Sequence, residues 1–410
     1  MAATRQHLHH LWRRRGGSAT TSAVVGLVFL VFSAVGLFVL TSRSPESALN
    51  STESILVDLT LVNNAKEKGA LCLDGTLPGY HFLKGFGSGA DKWLIHLEGG
   101  GWCRNLELCS ARKQTELGSS NHMEKQVPFI GILSNLPSQN PDFYNWNKVK
   151  VRYCDGASFS GDVETTEHKG TTLYFRGLRI WEAIMDDLLL KGLANAKKAL
   201  LTGCSAGGLA TYIHCDDFKA LLPKTKTVKC MADGGFFLDV NDISGRRSMY
   251  DSYNEVVHLQ CFFPEEIIKK IRTPFFILNP AYDAWQVQHV VTPDVSGPST
   301  SWRSCRLDIK KCDSNQIEVL QGMRTALLDG IRGVTEKKDW GIFVDSCFIH
   351  CQSLKDYLWH SPNSPRINNK TIAEAVGDWY FDRSKVKEID GQYPSNPSCY
   401  NLVFSQPYKL

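Results

Sequence analysis

The sequence predicts an α/β fold with a mostly parallel sheet and helices on both faces. Five short apolar runs of strand length recur along the chain, at residues 92–97, 148–153, 199–202, 274–278 and 340–344. Between the second and third runs, apolar residues from Ile180 to Leu189 repeat at helical spacing. Strands that alternate with helices over several hundred residues are typical of parallel sheets. We therefore expect reactive groups in the loops that follow the carboxyl ends of the strands.

The N-terminal part of the chain contains an apolar segment of membrane-spanning length. Residues 23–40 are almost all apolar, which is long for a signal-peptide core, and no small-residue cleavage site closes the run. Four arginines precede it, at positions 5, 13, 14 and 15, whereas only Arg43 follows closely. This bias places the N-terminus in the cytosol. A cleaved signal peptide is the alternative, and a buried core helix is excluded because the run has no polar face.

These features divide the chain into four parts. We expect a cytosolic tail at residues 1–21, a transmembrane signal anchor at 22–42, a short Ser-rich stem at 43–54 and a catalytic domain at 55–410. The chain is 43% hydrophobic, which supports a large core in a domain of that length. The net charge of +4 is mild and the basic residues are scattered, so we expect no nucleic-acid partner.

The stretch from Gly203 to Gly207 is a candidate nucleophile turn. Ser205 lies at its centre, after a short apolar strand and before a segment with helical character. A Gly-x-Ser-x-Gly turn between a strand and a helix is the nucleophile elbow of α/β-hydrolases, where the serine Oγ stands at the sheet edge. The sequence therefore predicts an α/β-hydrolase fold with Ser205 as the nucleophile. A tight glycine turn with a solvated serine is the alternative.

A second loop offers candidate donors for an oxyanion hole. After the first predicted strand and Glu98 come three consecutive glycines, which end at Gly101. α/β-Hydrolases build the oxyanion hole from such a loop and from the amide after the nucleophile. We expect the amides of Gly100, Gly101 and Ala206 to take this role. A phosphate-binding loop is disfavoured because no Lys-Ser/Thr pair follows the glycines.

Two later strands are each followed by a further candidate member of a catalytic triad. Asp283 comes shortly after the fourth predicted strand, and His350 lies in the loop after the fifth. The chain order Ser205, Asp283, His350 is that of α/β-hydrolases. Asp233 follows another possible strand and is an alternative acid. Asp345 is too near His350 along one loop to orient it.

The cysteines and the glycosylation sequons agree with a secretory compartment. All thirteen cysteines follow the apolar run, and an oxidising lumen pairs most of them. The number is odd, so one thiol is left over. We expect it to be Cys204, because a disulfide there would hinder the nucleophile turn. Asn50 and Asn369 begin Asn-x-Thr sequons, and no cysteine spacing is typical of a zinc site.

Four motifs carry a resemblance to a known family. They are HLEGGGWC at 96–103, GCSAGG at 203–208, NPAYD at 279–283 and SCFIHC at 346–351, and VRYCDGASFSGD at 151–162 adds a fifth match in style. Together they resemble plant pectin acetylesterases, which are related to the animal Notum carboxylesterases. The resemblance implies a serine esterase that removes O-acetyl groups from galacturonosyl units of pectin without a metal or cofactor. It assigns the triad to Ser205, Asp283 and His350, and Glu98 is expected to support the glycine loop.

The first hypothesis is therefore a type II membrane-anchored pectin acetylesterase, acting in the Golgi or released to the cell wall. Its expected partners are acetylated pectin and, through the N-terminal helix, a membrane. The alternatives are a Notum-like deacylase of a fatty-acylated protein, a deacetylase of another wall polysaccharide, and an inactive hydrolase-fold binding protein. Polygalacturonate is anionic, so Arg104, Arg152 and Arg176 are candidate contacts for its carboxylates.

Overall fold

The computed structural model describes residues 54–257, 262–293 and 301–407. The predicted cytosolic tail, the signal anchor, nearly all of the stem and the sequon at Asn50 lie outside these residues. Within the described ranges, no helix is both long enough and apolar enough to cross a membrane.

A ten-stranded sheet and a separate two-stranded ribbon are built by the described residues. In chain order the strands are β1 (Leu56–Leu61), β2 (Gly79–Leu83), β3 (Lys92–Leu97), β4 (Gln126–Pro128), β5 (Asn147–Val151), β6 (Thr166–His168), β7 (Thr171–Leu173), β8 (Lys198–Cys204), β9 (Thr227–Asp233), β10 (Phe275–Leu278), β11 (Gly341–Val344) and β12 (Lys387–Ile389). The spatial order of the large sheet is β12-β11-β10-β9-β8-β3-β5-β2-β1-β4, and β6 pairs with β7. Neighbouring strands from β12 to β5 are parallel, whereas β2, β1 and β4 continue the sheet in antiparallel pairs.

The helices lie between and after the strands. They are α1 (Leu106–Arg112), α2 (Gly177–Leu190), α3 (Ala206–Leu221), α4 (Ser248–Val257), α5 (Pro264–Ile267), α6 (Ala284–Gln286), α7 (Trp302–Cys305), α8 (Ser314–Thr335), α9 (Asp356–Trp359) and α10 (Ile372–Tyr380). The longest of these helices, α8, has a capping box at its N-terminus. Asp313, which precedes the helix, and Gln316 exchange side-chain-to-backbone hydrogen bonds there. Such a box satisfies amides that have no partner inside the helix.

Alternating side chains of the central strands enter two different cores. Leu94 of β3 and Leu200 of β8 pack in one core with residues of α10, such as Val376. Their neighbours Ile95 and Leu201 belong to a larger core with residues of α2, α3 and α8. Because successive strand residues point to opposite faces, helices cover both faces of the sheet. The prediction of an α/β fold with a mostly parallel sheet and helices on both faces is confirmed.

The five strands predicted from apolar runs are all present. β3 has the predicted bounds, and β8 extends the run at 199–202 in both directions. β10 and β11 each begin one residue later than predicted, and β5 ends two residues earlier. The helical repeat between 180 and 189 is α2, which extends the predicted segment by a few residues at its start.

Six disulfides join twelve of the thirteen cysteines. The pairs are Cys72–Cys154, Cys103–Cys109, Cys204–Cys351, Cys215–Cys230, Cys305–Cys312 and Cys347–Cys399. Cys261 is the thirteenth and lies outside the described residues. The expectation that Cys204 is the free thiol is wrong. Cys204 is the last residue of β8, so its side chain meets Cys351 without displacing the turn that follows. A fold with this many disulfides forms in an oxidising compartment such as the secretory pathway.

Candidate active site

Ser205 occupies the sharp turn between β8 and α3. Its φ of 58° and ψ of −125° fall in a region that residues other than glycine rarely adopt. The Ser205 amide donates to the carbonyl oxygen of Asp233 at 2.9 Å, and the Ser205 carbonyl accepts from the Leu209 amide at 2.9 Å. Packing and hydrogen bonds therefore hold a strained serine at the carboxyl end of a central strand.

The helix after Ser205 approaches the sheet so closely that only glycine fits. A Cβ atom on Gly207 would collide with the carbonyl oxygen of Leu97, at the end of β3. A Cβ atom on Gly203 would collide with the Gly207 carbonyl oxygen and lie 2.8 Å from the Thr211 hydroxyl. These two collisions are the physical reason for glycine on each side of the serine.

Asp283 and His350 are brought into direct contact. The Nδ1 atom of His350 lies 2.7 Å from Oδ2 of Asp283. The other carboxylate oxygen of Asp283 accepts a hydrogen bond from the Gln286 amide at 2.9 Å, so the carboxylate is fixed at the start of α6. Asp283 is fully buried and His350 is 6% exposed. Ser205 and His350 line the same pocket.

Asp233, the alternative acid, is occupied elsewhere. Its Oδ2 atom accepts hydrogen bonds at 2.7 Å from the amides of Gln352 and Ser353 and from the Ser353 hydroxyl. Burial raises the pKa of Asp233, although these hydrogen bonds act in the opposite direction. The structure thus places Asp283 against His350, and Asp233 anchors the segment that follows the histidine.

Asp345 is also turned away from His350. It accepts hydrogen bonds from the Cys347 amide at 3.0 Å and from the Gln352 side chain at 2.7 Å. Burial raises the pKa of Asp345 to about 7. The sulfurs of Cys347 and Cys399 lie nearby, but they are bonded to each other and so are not thiolate ligands for a metal ion.

The Cys204–Cys351 disulfide ties the serine loop to the histidine loop. Cys204 directly precedes Ser205, and Cys351 directly follows His350. The strands that carry these loops, β8 and β11, are not neighbours, because β9 and β10 lie between them in the sheet. The disulfide brings the two Cα atoms within 5.7 Å across that gap. It is therefore a direct covalent link between the loops that carry the candidate nucleophile and the candidate base.

The glycine loop packs directly against the serine. A Cβ atom on Gly99 would lie 2.8 Å from the Ser205 Cβ and would collide with the carbonyl oxygen of Cys204. Among the described residues, no hydrogen bond uses the amide of Gly100 or Gly101. Ala206 is the first residue of α3, so its amide has no acceptor inside the helix. Gly100 and Gly101 line the same pocket as Ser205, and the three amides expected to bind an oxyanion have no internal acceptor among the described residues.

Glu98 precedes the glycine loop and forms hydrogen bonds and an ion pair with residues in and just after β5. One of its carboxylate oxygens accepts from Arg152 Nε at 2.8 Å and from the Tyr153 amide at 3.1 Å. The other lies 2.9 Å from Lys150 Nζ. Burial opposes the negative charge, but the two cations hold the pKa of Glu98 below its usual value. The carboxylate therefore ties the loop after β3 to the end of β5.

A buried hydrogen-bond network joins the glycine loop to the nucleophile turn. Tyr153 Oη donates to the Gly101 carbonyl at 2.8 Å and accepts from the Ser158 amide at 3.0 Å. The Ser158 hydroxyl accepts from Trp102 Nε1 and donates to the Ala206 carbonyl, both at 2.8 Å. Ser158 is fully buried and has a φ of 55°, a conformation that is retained only when the surroundings enforce it. The network therefore fixes both sets of candidate oxyanion donors relative to each other.

The pocket beside Ser205 has a volume of 660 Å³. Its wall includes the glycine loop, Trp102, Trp285 and the cations Arg104 and Lys355. Two of the arginines expected to contact substrate lie elsewhere. Arg152 is 2% exposed and paired with Glu98 and Glu124, and Arg176 is 5% exposed and paired with Glu164. Neither lines the pocket, so the expectation that they contact the substrate was wrong for both. Arg104 does line the pocket.

Comparison with known proteins identifies the family. The pectinacetylesterase family matches residues 50–260 and 258–400. The chain belongs to this family. It is 54% identical over 405 residues to pectin acetylesterase 5 of Arabidopsis thaliana, an alignment that covers 93% of this chain and 95% of the relative. Pectin acetylesterase 4 of the same plant is 52% identical over 396 residues, with 92% and 95% covered. The predicted family and the prediction of a carboxylic ester hydrolase are confirmed.

Animal relatives share the fold of this family member. Palmitoleoyl-protein carboxylesterase notum1a of Danio rerio is 36% identical over 345 residues, covering 76% of this chain and 63% of the relative. The solved structure of the Wnt deacylase Notum from Drosophila superposes with a TM-score of 0.70 at 22% identity, covering 84% of this chain and all of the solved chain. The domain therefore has a Notum-like α/β-hydrolase fold.

Four residues contribute to the site of this family member in ways that were not predicted from the sequence. Lys355 lines the pocket a few residues after the histidine, and Cys351 pairs with Cys204. Tyr153 and Ser158 connect the two candidate oxyanion loops. The match of residues 151–162 to the family style was the available signal for the last pair. The exposed Asn369, in the turn before α10, remains accessible as a candidate glycosylation site.

Proposed function

We propose that this chain hydrolyses O-acetyl esters of pectin, with Ser205 as nucleophile, His350 as general base and Asp283 as the carboxylate that orients the histidine. The observation that carries the proposal is the 2.7 Å contact between His350 Nδ1 and Asp283, at a pocket that also holds Ser205 in its strained turn. The substrate is inferred from the names of the plant relatives, which are 52–54% identical over nearly the whole chain.

The chemistry follows from the positions of these groups. Ser205 Oγ attacks the acetyl carbonyl carbon while His350 takes the hydroxyl proton, and Asp283 stabilises the imidazolium that forms. The amides of Gly100, Gly101 and Ala206 donate to the oxygen that becomes negative. The histidine then returns the proton to the departing sugar oxygen, which leaves an acetyl-serine. A water molecule, deprotonated by His350, releases acetate and restores the serine. None of these steps calls for a metal or cofactor.

The direct test is acetate release from acetylated pectin by the purified protein. The wild-type chain should release acetate, and the Ser205→Ala variant should lose this activity while it unfolds at the same denaturant concentration. Label transfer from a fluorophosphonate probe should require Ser205. Acetate release by the Ser205→Ala variant at the wild-type rate would falsify the mechanism. Acetylated xylan and mannan, tested in parallel, distinguish pectin from other wall polysaccharides.

The similarity to palmitoleoyl-protein carboxylesterases favours a second candidate, removal of a fatty acyl group from a protein. A fatty acyl chain calls for a deep apolar pocket. Much of the wall beside Ser205 is apolar, but Arg104, Arg112 and Lys355 also line it and disfavour a long acyl chain. We therefore expect p-nitrophenyl acetate to be cleaved with a higher kcat/KM than p-nitrophenyl palmitate. The opposite preference would support the deacylase. Failure to cleave either ester, together with no fluorophosphonate labelling, would support an inactive binding protein.

We also propose that residues 22–42 anchor the chain as a type II membrane protein with the catalytic domain in the lumen. The apolar run, the arginines before it and the lumenal disulfides support this topology. Protease added to intact microsomes should remove an N-terminal tag and spare a C-terminal tag. Loss of the N-terminal tag during synthesis, with the rest of the chain secreted, would indicate a cleaved signal and delivery to the cell wall.

A further inference from the structure

The pocket beside Ser205 extends beyond the space that an acetyl group fills. Its volume of 660 Å³ is within the range of sites for drug-sized ligands, so a sugar ring fits as well. Arg104, Arg112 and Lys355 line it, and Glu116, exposed at the rim, is the carboxylate in the described lining. The pocket is therefore positively charged on balance.

One of these cations already has a structural role. Arg112 is 9% exposed, and its Nε donates to the Leu117 carbonyl at 3.0 Å. Its guanidinium also lies over the ring of Tyr153, at 5.1 Å from the centroid. These contacts hold the segment after α1 in place. Arg112 is thus mainly part of the pocket wall, although its buried Nη2 has no hydrogen-bond partner among the described residues.

Arg104 and Lys355 are more exposed than Arg112, and neither forms an ion pair within the described residues. Lys355 Nζ donates to the His350 carbonyl at 3.3 Å, and Arg104 Nη1 donates to the Ser252 hydroxyl at 3.4 Å. Both side chains are half-buried. An ammonium has three hydrogens to donate, so Lys355 has capacity for a further acceptor. A half-buried cation without a counter-ion is stabilised when an anion binds beside it.

The environment of Lys355 agrees with this interpretation. Burial lowers the pKa of the Lys355 ammonium, although the carboxylates of Asp233 and Asp283 act in the opposite direction. The backbone that carries Lys355 is well fixed, because its carbonyl accepts hydrogen bonds from the amides of Leu358 and Trp359 at 3.0 and 2.8 Å. The cation is therefore held in a defined position close to the histidine.

We propose that Lys355 and Arg104 bind the carboxylate of the galacturonosyl unit that carries the acetyl ester, an inference that rests on the proposed function. This subsite makes the enzyme select acetylated pectin with free carboxylates. Pectin whose carboxylates are methyl-esterified has lost the charge and is a poorer substrate. Neutral acetylated xylan is disfavoured for the same reason. The selectivity for an anionic polymer thus comes from the same pocket that holds the reacting ester.

The test compares acetate release by the full chain from acetylated polygalacturonate and from the same polymer after methyl esterification. Wild type should show a KM lower by about tenfold on the free-carboxylate polymer, the usual effect of one charge-assisted hydrogen bond. Lys355→Met and Arg104→Gln should each reduce this ratio toward one. Their losses on free-carboxylate polymer should exceed their losses on uncharged p-nitrophenyl acetate. Added salt should also reduce the wild-type ratio, since it screens charge pairs.

The matched control is Lys113→Met, which removes a cation just after α1 that does not line the pocket. It should keep the wild-type ratio, so that a general effect of net charge is separated from the subsite. An unchanged ratio in both Lys355→Met and Arg104→Gln would overturn the subsite and leave the proposed function intact. A wild-type chain that cleaves p-nitrophenyl acetate but releases no acetate from either pectin would overturn the proposed function itself. Arg104→Gln keeps the test valid if Lys355→Met disturbs the histidine loop.

Discussion

Removal of the Cys204–Cys351 disulfide should slow turnover as well as destabilise the fold. The bond closes a loop with a sequence separation of 147 residues. The chain-entropy relation assigns about 5 kcal/mol of unfolding free energy to a loop of that length. Residual structure in the denatured chain makes this an upper value. Because the bond also joins the serine and histidine loops, we expect kcat to fall about tenfold to a hundredfold when their relative position relaxes.

The assay uses the Cys204→Ala/Cys351→Ala double variant and a matched control, Cys305→Ala/Cys312→Ala. The control disulfide has a sequence separation of 7 and joins residues that do not line the pocket. The same relation assigns it about 2 kcal/mol. Urea unfolding measures stability, and p-nitrophenyl acetate hydrolysis under folding conditions measures kcat and KM. The control should lose stability and keep kcat. A Cys204→Ala/Cys351→Ala variant that is folded and turns over within twofold of wild type would refute the positioning role.

Three further predictions test other features. Tyr153→Phe should lower kcat about tenfold with little change in KM, because the Gly101 carbonyl loses its donor. The control is Tyr212→Phe, which removes a buried hydroxyl without a partner among the described residues and should leave kcat unchanged. Burial raises the pKa of Asp345 from 3.8 to about 7, so the folded chain holds this proton more tightly than the unfolded chain. Its contribution to stability is complete below the unfolded pKa and is lost as the pH rises toward 7. Asp345→Asn should flatten the fall in unfolding free energy over that interval, and an unchanged slope would contradict the assignment. Asn369→Gln should remove one glycosidase-sensitive step in gel mobility from protein made in the secretory pathway, and equal mobility would show that the sequon is unused.

Local patterns were enough to predict the centre of the sheet and to name the candidate triad residues. The apolar runs that became β3, β8, β10 and β11 are buried on both faces, so most positions are apolar or small and the signal is strong. β1 was not predicted because it is an exposed antiparallel strand with a single buried position. The candidate triad residues could be named because each lies in the loop or turn after such a strand, and parallel strands bring their carboxyl ends to one edge.

Features that depend on long-range contacts were not predictable from one sequence. The partner of Cys204 is 147 residues away, and nothing local distinguishes Cys351 from the other cysteines. Arg152 was a candidate contact for substrate carboxylates, but its ion pairs with Glu98 and Glu124 allow it to be buried. The left-handed conformation of Ser158 is imposed by its buried hydrogen bonds, and a serine in the sequence gives no sign of it.

The two tryptophans in the pocket wall, Trp102 and Trp285, are an intrinsic fluorescent probe of the pocket. The rings of Trp102 and Trp285 meet edge to face, with centroids 5.8 Å apart. The ring of Trp285 also lies 6.1 Å from the imidazole of His350. A charged or acylated group that enters the pocket changes the polarity around both indoles and therefore their emission. Titration of intrinsic fluorescence in the inactive Ser205→Ala background can thus measure carbohydrate affinity directly, with no chromogenic ester and no turnover.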